Sequence, residues 1–378
     1  MAGKKNVALV VGSTGITGEA LVELLTKPDT AGGPWKVYGI ARRPKPEWHT
    51  PDVYIRCDLL NREETLAKVS PFMDVTHVFY VTWADLLSEV ENCEANGEML
   101  QNLLDALLPN AKGLQHVSLQ TGGKHYAGSF DQWAVMNDRV EFPDAPYTED
   151  MPRLPGDNFF YTLEDVLFQA VEQKKGQGEE LTWSVHRPGL IFGFTIGNKM
   201  NMLSTLSVYG CLCKELGLPL IFPGPRSAWD SFCDASDAEL IAEQHVWAAT
   251  DPRAKNHAFN CMNGDVFKWK RIWGIVAERL GMKPEGPKTP PLALQQLMKG
   301  MGPVWKRLVK KYSLHPTELP ELGHWWFAEI FLANYGCDSI MSPNKSKEFG
   351  FLKFRNTLKG VAKHLDRYAE RKIFPKVK

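Results

Sequence analysis

The stretch Asn6–Gly18, NVALVVGSTGITG, decides how the rest of this chain is interpreted. The run NVALVV is short and mostly apolar, as expected of a strand that is buried on both faces of a parallel sheet. Gly12, Gly15 and Gly18 follow at once and lead into EALVELLTK, whose apolar positions recur at helical spacing. Glycines at a turn let the backbone approach a pyrophosphate, whose charge is met by the helix N-terminus. This order of strand, glycine turn and helix therefore predicts a nucleotide-binding unit.

More short apolar segments extend the pattern and predict a doubly wound parallel sheet. They are WKVYGIA, VYIRCDL, THVFYVTWA, LQHVSLQ and WSVHRPG, with helical segments among them. Ligands of open α/β sheets bind where the strands end, so the residues at these ends are expected to line one crevice. These residues are Asp58, Thr82, Trp83, Gln120 and, just beyond a strand, Lys124. Two of them have a second interpretation: Trp83 as an aromatic residue packed on the sheet, and Lys124 as an ordinary solvated lysine.

Arg42 and Arg43 stand directly after the second strand, in the segment RRPKP. An NAD-specific fold offers an acidic residue at this place, whereas two guanidinium groups suit the 2′-phosphate of NADPH. The sequence thus favours NADPH over NADH, with a solvated basic turn as the alternative. Asp58, at the end of the third strand, is a candidate acceptor for the adenine amino group.

The charge balance and the cysteines limit the classes of function. Lys and Arg together number 44, as do Asp and Glu, so no net field attracts nucleic acid or anionic lipid. The 7 cysteines, the last of which is Cys337, form no C-x-x-C pair, and no metal site is expected. Reduced thiols, an N-terminal run too short for a signal peptide and the lack of an apolar span of ~18 residues favour the cytoplasm over a membrane.

The second half of the chain differs in composition from the first. It contains MNMLSTLSVYGCLCKELG, a proline- and glycine-rich break KPEGPKTPP and further amphipathic helical segments. We expect residues 1–195 to form the NADPH-binding Rossmann domain. Residues 196–378 are expected to form a smaller, mainly helical substrate and lid region, partly interleaved with the core. His186, in the sixth strand, is expected to be a hydrogen-bonded core histidine and not a base.

The motifs along the chain, taken in order, resemble those of the plant progesterone 5β-reductase and iridoid synthase family. They are GSTGITG, VYGIARRPKPEW, CDLL, THVFYVTW, ENCEANGEML, LQTGGKHYAGSF, PYTEDMPRL, DNFFYTLED, LTWSVHRPGLIFGF, AFNCMNGDVFKWK and NKSKEFGF. The match spans nearly the whole chain. The resemblance implies an extended-type short-chain dehydrogenase/reductase fold that binds NADPH and delivers hydride to the β-carbon of an activated C=C bond. It also suggests a homodimer.

The resemblance assigns residues to parts of the cofactor. The cofactor phosphates would be contacted by Thr14, Gly15 and Ile16. Arg42 and Arg43 would hold the 2′-phosphate, and Asp58 and Leu59 would contact the adenine. The nicotinamide half would be lined by Thr82, Trp83, Gln120 and Ile191. Lys124 matches the family's catalytic lysine.

The segment TIGNKMN departs from the family, which more often has a Ser-Pro-containing loop there. This departure changes the edge of the pocket next to the nicotinamide and makes the substrate harder to infer by analogy. Asn198, Lys199 and Met200 are still expected to close over the cofactor.

The segment Asp157–Asp165, DNFFYTLED, departs from the family at its most informative position. The family's motif is N-F-Y-Y, with the first tyrosine as the catalytic hydroxyl, and Phe160 stands at that place. Phe160 is therefore expected to border the cofactor without supplying a hydroxyl. Tyr161 is the candidate second catalytic residue beside Lys124. Because neighbours on a helix point ~100° apart, a structural role for Tyr161 is the alternative.

These features predict NADPH-dependent reduction of the C=C bond of a small apolar enone or enal, such as a steroid enone or an 8-oxogeranial-like enal. Negative charge develops on the carbonyl oxygen during this reaction, so the site needs a donor there: Lys124, a bound water or Tyr161. Alternatively, the pocket is specialised for a substrate whose enolate needs little help. Two further alternatives stay open: reduction of the carbonyl group itself, and a protein that binds NADPH and a small ligand without turnover.

Overall fold

The computed structural model describes residues 6–129, 143–335 and 340–376, and Cys337 lies outside them. Contacts between residues divide the chain into two compact units. The first contains Met1–Gly189, Glu239–Cys261 and Ser342–Lys353, and the second contains Leu190–Ala238, Met262–Met341 and Phe354–Lys378. The division predicted at residue 195, with a partly interleaved second half, stays a prediction.

The described residues form 11 strands, and seven of them make a parallel sheet in the first unit. The strands, in chain order, are β1 (Val7–Val11), β2 (Lys36–Ala41), β3 (Val53–Arg56), β4 (His77–Tyr80), β5 (His116–Gln120), β6 (Thr182–Pro188), β7 (Ile191–Phe192), β8 (Leu220–Ile221), β9 (Ser236–Asp237), β10 (His257–Cys261) and β11 (Pro284–Glu285). The 7-stranded sheet has the order β10-β6-β5-β4-β1-β2-β3, and its pairings are parallel. The strand order reverses between β1 and β4, the place where doubly wound sheets bind ligands. The prediction of a doubly wound parallel sheet is confirmed.

Helices connect these strands and form most of the second unit. They are α1 (Ile16–Leu25), α2 (Arg62–Val69), α3 (Glu89–Leu107), α4 (Lys124–Ala127), α5 (Phe159–Gly176), α6 (Met202–Leu216), α7 (Arg226–Asp230), α8 (Ala238–Thr250), α9 (Trp269–Leu280), α10 (Leu294–Leu297), α11 (Gly302–Tyr312), α12 (Trp325–Ile330), α13 (Asn344–Glu348) and α14 (Thr357–Glu370). Within the described ranges, none of the helices is both long and apolar enough to cross a lipid bilayer.

The core of the first unit lies between the strands and the apolar sides of α3 and α5. β1 and β4 are buried along their whole lengths, which explains why their sequences are apolar without alternation. Leu100 and Leu103 of α3 join Leu163 and Leu167 of α5 in one buried cluster with the strand residues. Burying a leucine side chain of this kind contributes roughly 1.5–3 kcal/mol. The cluster therefore packs α3 and α5 against the sheet.

The second unit is mainly helical. Two short parallel pairs of strands accompany its helices: β8 with β11, and β7 with β9. α9 buries Trp269 and Trp273 completely, and the ring of Phe222 packs against both. α6 begins after Asn201, whose side chain accepts a hydrogen bond from the backbone N–H of Ser204.

A buried network of hydrogen bonds joins β5, β6 and α8 in the first unit. Ser184 Oγ lies 3.0 Å from the Nε2 atoms of both His116 and His186. Ser118 Oγ lies 2.9 Å from Ser184 Oγ and 2.7 Å from His245 Nδ1. The strand residues share one face of the sheet because side chains two positions apart on a strand point the same way. His186 is thus a hydrogen-bonded core histidine, as predicted.

Burial suppresses the charge of these histidines. It lowers the pKa of His186 to about 4 and the pKa of His77, on β4, also to about 4. The pKa values of His116 and His245 lie well below the usual range. Burial is the main cause, and repulsion from the charge of neighbouring histidines is the second. In the unfolded chain a histidine binds its proton near its ordinary pKa of ~6.5. Below that pH the unfolded state binds more protons than the folded state, so stability falls as the pH falls towards about 4.

We expect each such histidine to lower the free energy of unfolding by about 2 kcal/mol between roughly pH 7 and pH 5. Urea unfolding at the two pH values measures this difference. In His186→Gln, the decrease in the free energy of unfolding between the two pH values is expected to be smaller by about 2 kcal/mol. His315→Gln, at a partly exposed position of the second unit, is the control for the substitution itself. A pH dependence in H186Q equal to that of the parent chain would contradict a buried neutral His186.

Candidate active site

The glycine turn between β1 and α1 is closely packed. Gly12 has a φ of +87°, and a Cβ atom there would lie 2.7 Å from Thr82 Cβ. A Cβ atom at Gly18 would lie 2.1 Å from Gly12 O. α1 begins at Ile16, directly after Gly15, and the backbone N–H groups of Gly12 and its neighbour are held by Ile40 O. Glycine is therefore required here, and the turn leaves its backbone beside the N-terminus of α1, where a phosphate binds favourably.

The two arginines after β2 differ in their surroundings. Arg42 is exposed. Arg43 is partly buried, and its Nη2 donates to Thr14 O at 2.7 Å and to Thr14 Oγ1 at 3.3 Å. The hydroxyl of Tyr54 donates to Arg43 O. The segment after β2 is thus attached to the glycine turn, with a guanidinium group at the carboxyl end of the strand.

Asp58 and Leu59 follow β3 and lie at the same edge of the sheet. The carboxylate of Asp58 accepts the backbone N–H of Leu60 at 3.2 Å. Leu59 is buried, and its carbonyl accepts from Asn102 Nδ2 at 2.9 Å. The side chain of Asn102 therefore fixes this loop against α3.

Thr82 and Trp83 follow β4, and Gln120 is the last residue of β5. Thr82 lies against Gly12, as the close approach at that glycine shows. The ring of Trp83 stacks on Phe159 with 5.4 Å between ring centres and 6° between planes, so Trp83 packs as an aromatic residue while part of it stays exposed. Gln120 Oε1 is buried, and among the described residues it has no hydrogen-bond partner. A buried acceptor of this kind fits a donor from a bound group.

Lys124 begins α4, directly after the two glycines that follow β5. Its ammonium group donates to both carboxylate oxygens of Glu89 at 3.0 Å, and both side chains are buried. Glu89 Oε1 also accepts the backbone N–H of Phe159 at 3.0 Å. Lys124 Nζ lies 4.4 Å from the centre of the Phe159 ring. Lys124 is therefore not a solvated lysine; it is a cation held by a buried anion.

Glu89 is a site residue that sequence reasoning missed. It lies in the first turn of α3, where the helix dipole favours negative charge. The sequence does contain a signal for it. Ser88 and Glu91 form a capping box, which places the start of α3 and with it Glu89 in the loop region after β4.

Phe160 lies beside Lys124 at the start of α5. Asn158 caps this helix: its Oδ1 accepts the N–H of Phe160 at 3.0 Å, and its Nδ2 donates to Lys124 O at 2.9 Å. The Phe160 ring packs on Gly122, where a Cβ atom would lie 3.2 Å from Cε2 of the ring. The centre of the ring is 5.7 Å from Lys124 Nζ. The position next to the lysine is thus occupied by an apolar ring without a hydroxyl.

The hydroxyl of Tyr161 is bound by the backbone. It donates to His125 O at 2.6 Å and accepts the N–H of Leu154 at 2.9 Å. Burial raises the pKa of this hydroxyl above its usual value. The arrangement agrees with the structural alternative for Tyr161, and its assignment as a second catalytic residue stays a prediction.

An ionic cluster around the buried Glu164 supports this segment. Glu164 accepts from Nη2 of Arg187 and from Nη2 of Arg153, each at 3.0 Å. Burial, and then the charges of Arg187 and Arg153, lower the pKa of His125 to about 3. His125 is therefore neutral near pH 7, and Lys124 is the cation of this pair of neighbours.

The remaining predicted cofactor residues belong to the second unit. Ile191 begins β7, and Asn198, Lys199 and Met200 precede α6. Asn198 Oδ1 accepts the backbone N–H of Met200 at 2.9 Å. Their contribution to the site stays a prediction.

The sheet order and the glycine turn define a doubly wound Rossmann fold. The same fold occurs in a UDP-glucose 4-epimerase from Thermus thermophilus solved with NAD, with a TM-score of 0.62 and 18% identity over 96% of this chain and 98% of that one. It also occurs in a GDP-L-fucose synthetase from Naegleria fowleri, with a TM-score of 0.65 and 12% identity over 99% of this chain and 95% of that one. At these identities the likeness shows the fold alone.

The chain belongs to the progesterone 5β-reductase and iridoid synthase family. The family described as a PRISE-like Rossmann-fold domain matches residues 8–375. A 3-oxo-Δ(4,5)-steroid 5β-reductase from Arabidopsis thaliana is 51% identical over 376 residues, 98% of this chain and 94% of the relative. An (S)-8-oxocitronellyl enol synthase from Nepeta racemosa is 50% identical over 374 residues, which are 98% of this chain and 94% of the relative. An (S)-8-oxocitronellyl enol synthase from Catharanthus roseus is 47% identical over 98% of this chain and 93% of the relative.

We expect Glu89→Gln and Lys124→Met each to lower the free energy of unfolding by about 3–5 kcal/mol, because a charge is left buried and unpaired when only one partner is removed. The double variant is expected to lose clearly less than the sum of the two single losses. Urea unfolding of the four proteins gives the coupling energy of the pair.

The pair Glu64–Lys68 on α2 serves as the matched control. Lys68 Nζ lies 2.6 Å from Glu64 Oε1, but this pair is on the solvent-exposed surface. Glu64→Gln and Lys68→Met are expected to couple far more weakly, since water and salt screen an exposed pair. If Glu89 and Lys124 couple no more strongly than this surface pair, the buried ion pair is not present in solution.

Proposed function

We propose that this chain is an NADPH-dependent reductase that saturates the C=C bond of an α,β-unsaturated carbonyl compound. NADPH, when bound, supplies the hydride that goes to the β-carbon. The observation that supports the proposal most directly is the cationic Lys124, held by Glu89 next to Phe160 just beyond the end of β5.

Lys124 meets the electrostatic requirement of this reaction. As the β-carbon is reduced, negative charge develops on the carbonyl oxygen, and a donor that is fixed in place beforehand stabilises it. Glu89 fixes the ammonium group, and Asn158 fixes the backbone of Lys124. Lys124 is therefore the side chain that we assign to the substrate oxygen.

A site with Phe160 lacks the hydroxyl that a tyrosine would supply, and this lowers kcat. Removing one preorganised donor costs roughly 2.7–4 kcal/mol, or a factor of about a hundred to a thousand in kcat. Correct positioning of the reactants contributes about 7–11 kcal/mol. A site that keeps Lys124 and the positioning elements therefore retains most of its rate enhancement.

The names of the relatives support the proposed substrate class. They refer to a 3-oxo-Δ(4,5)-steroid and to an 8-oxocitronellyl enol, at nearly equal identity to this chain. We therefore propose a small apolar enone or enal, within a range from steroid enones to 8-oxogeranial-like enals.

Arg42 and Arg43, at the end of β2, support NADPH as the cofactor in preference to NADH, since two guanidinium groups suit a 2′-phosphate. The proposal includes a cytoplasmic location, because the cysteines form no C-x-x-C pair and are expected to be reduced thiols. It also includes a homodimer, on the basis of the family resemblance. Nucleic acid and membranes are not among the proposed partners.

A protein that binds NADPH and a small ligand without turnover is the second candidate function. The observation that favours it is that Phe160 carries no hydroxyl while the hydroxyl of Tyr161 is hydrogen-bonded to His125 O and to the N–H of Leu154. Turnover measurements separate the two candidates.

Incubation of the protein with NADPH and progesterone, 8-oxogeranial or a small enone is expected to oxidise NADPH and to yield a saturated carbonyl compound. Phe160→Tyr is expected to raise kcat by about a hundredfold to a thousandfold, because it restores a donor beside Lys124. Phe168→Tyr adds the same hydroxyl to the same helix, where the ring packs against Trp183, and is the control expected to leave kcat unchanged.

NADPH binding without reduction of any alkene in the panel would overturn the reductase proposal in favour of the second candidate. An alcohol product would show that hydride goes to the carbonyl carbon instead. An unchanged kcat in F160Y would show that a different donor already serves the substrate oxygen.

A further inference from the structure

A buried chain of hydrogen bonds joins α1, the glycine turn and the segment after β2. His49 Nδ1 lies 2.7 Å from Glu19 Oε2, and His49 Nε2 lies 3.1 Å from Ser13 Oγ. All three side chains are almost completely buried.

Serine, histidine and glutamate in this order resemble a nucleophilic triad, but the surroundings exclude that function. Ser13 is 0% exposed. A Cβ atom at Gly39 would lie 2.9 Å from Ser13 Oγ, so the backbone of β2 covers the hydroxyl. A nucleophile must be reachable by its substrate, and Ser13 is not. These hydrogen bonds therefore act on the protein itself.

The segment that His49 holds, residues 42–52, contains neither helix nor strand. Its position depends on hydrogen bonds of side chains and turns. Arg43 Nη2 donates to Thr14 O at 2.7 Å, and the N–H of His49 donates to Pro46 O at 3.1 Å. Two adjacent residues of the glycine turn, Ser13 and Thr14, are thus each bonded to this segment, one through His49 and the other through Arg43.

We propose that Ser13, His49 and Glu19 form a clasp that positions the segment carrying Arg42 and Arg43, and that this clasp sets the preference of the chain for NADPH over NADH. The inference rests on the proposed function, in which the two arginines bind the 2′-phosphate. NADH has no 2′-phosphate, so its affinity depends less on where the arginines lie. The glycine turn, which both cofactors use, remains when the clasp is removed.

The test compares the Kd of NADPH with the Kd of NADH, measured by titration calorimetry, in the parent chain and three variants. Ser13→Ala removes one bond of the clasp, and His49→Phe removes both. The double variant Glu19→Leu/His49→Phe also removes the carboxylate that would otherwise be left buried without its partner. We expect the Kd of NADPH to rise about two- to threefold in S13A and about tenfold in the other two, with the Kd of NADH changing less than about twofold.

His77→Phe is the matched control. His77 is also buried and bonded to a hydroxyl, Thr76 Oγ1 at 2.8 Å, but it lies at the first residue of β4, away from the carboxyl ends of the strands. This variant is expected to leave the ratio of the two Kd values unchanged. Circular dichroism establishes that each variant is folded, and S13A decides the matter if the larger changes prevent folding.

An unchanged ratio in folded S13A and in the folded double variant would overturn the clasp while leaving the proposed function intact. An equal change of the ratio in His77→Phe would also overturn it, because the effect would then be general. A parent chain that binds neither cofactor would overturn the proposed function and the clasp together, so the two failures are distinguishable.

Discussion

The buried ion pair of Lys124 and Glu89 is the interaction on which the candidate site depends. Two charges have been removed from water here, which is favourable only when each has a partner and the remaining lone pairs are satisfied. Glu89 meets both conditions, since it binds the ammonium group with both oxygens and also accepts the N–H of Phe159. Its partners are 35 and 70 residues away in the sequence. One carboxylate therefore holds together the starts of α3, α4 and α5.

The ion pair keeps Lys124 in place beside the ring of Phe160. The backbone of Lys124 is held by Asn158, and its ammonium group is held by Glu89, so neither depends on a hydroxyl at position 160. The neighbouring His125 is kept neutral by burial and by the arginines around Glu164. The positive charge near the Phe160 ring is thus concentrated on Lys124, which supports the role that we propose for this lysine at a developing enolate.

Much of the fold could be predicted because its signals are local. NVALVVGSTGITG specifies a strand, a turn and a helix through residues that are neighbours in sequence, and the carboxyl ends of parallel strands meet at one edge by geometry. Glu89 and His49 were missed because their partners are distant in sequence: His49 binds a carboxylate 30 residues away. The hydroxyl of Tyr161 could not be located either, since its direction depends on α5 beginning at Phe159 and on the path of the chain at Leu154. Of these, only Glu89 had a sequence signal, the capping box of Ser88 and Glu91.

The most direct test follows the transferred hydrogen. NADPH that carries deuterium at the transferred position of the nicotinamide is incubated with an enone, and the product is analysed by NMR. Deuterium is expected on the β-carbon of a saturated carbonyl compound, and Lys124→Met is expected to reduce the yield of that product while NADPH still binds. Deuterium on the carbonyl carbon, or an unlabelled product, would contradict hydride delivery to an activated alkene beside Lys124.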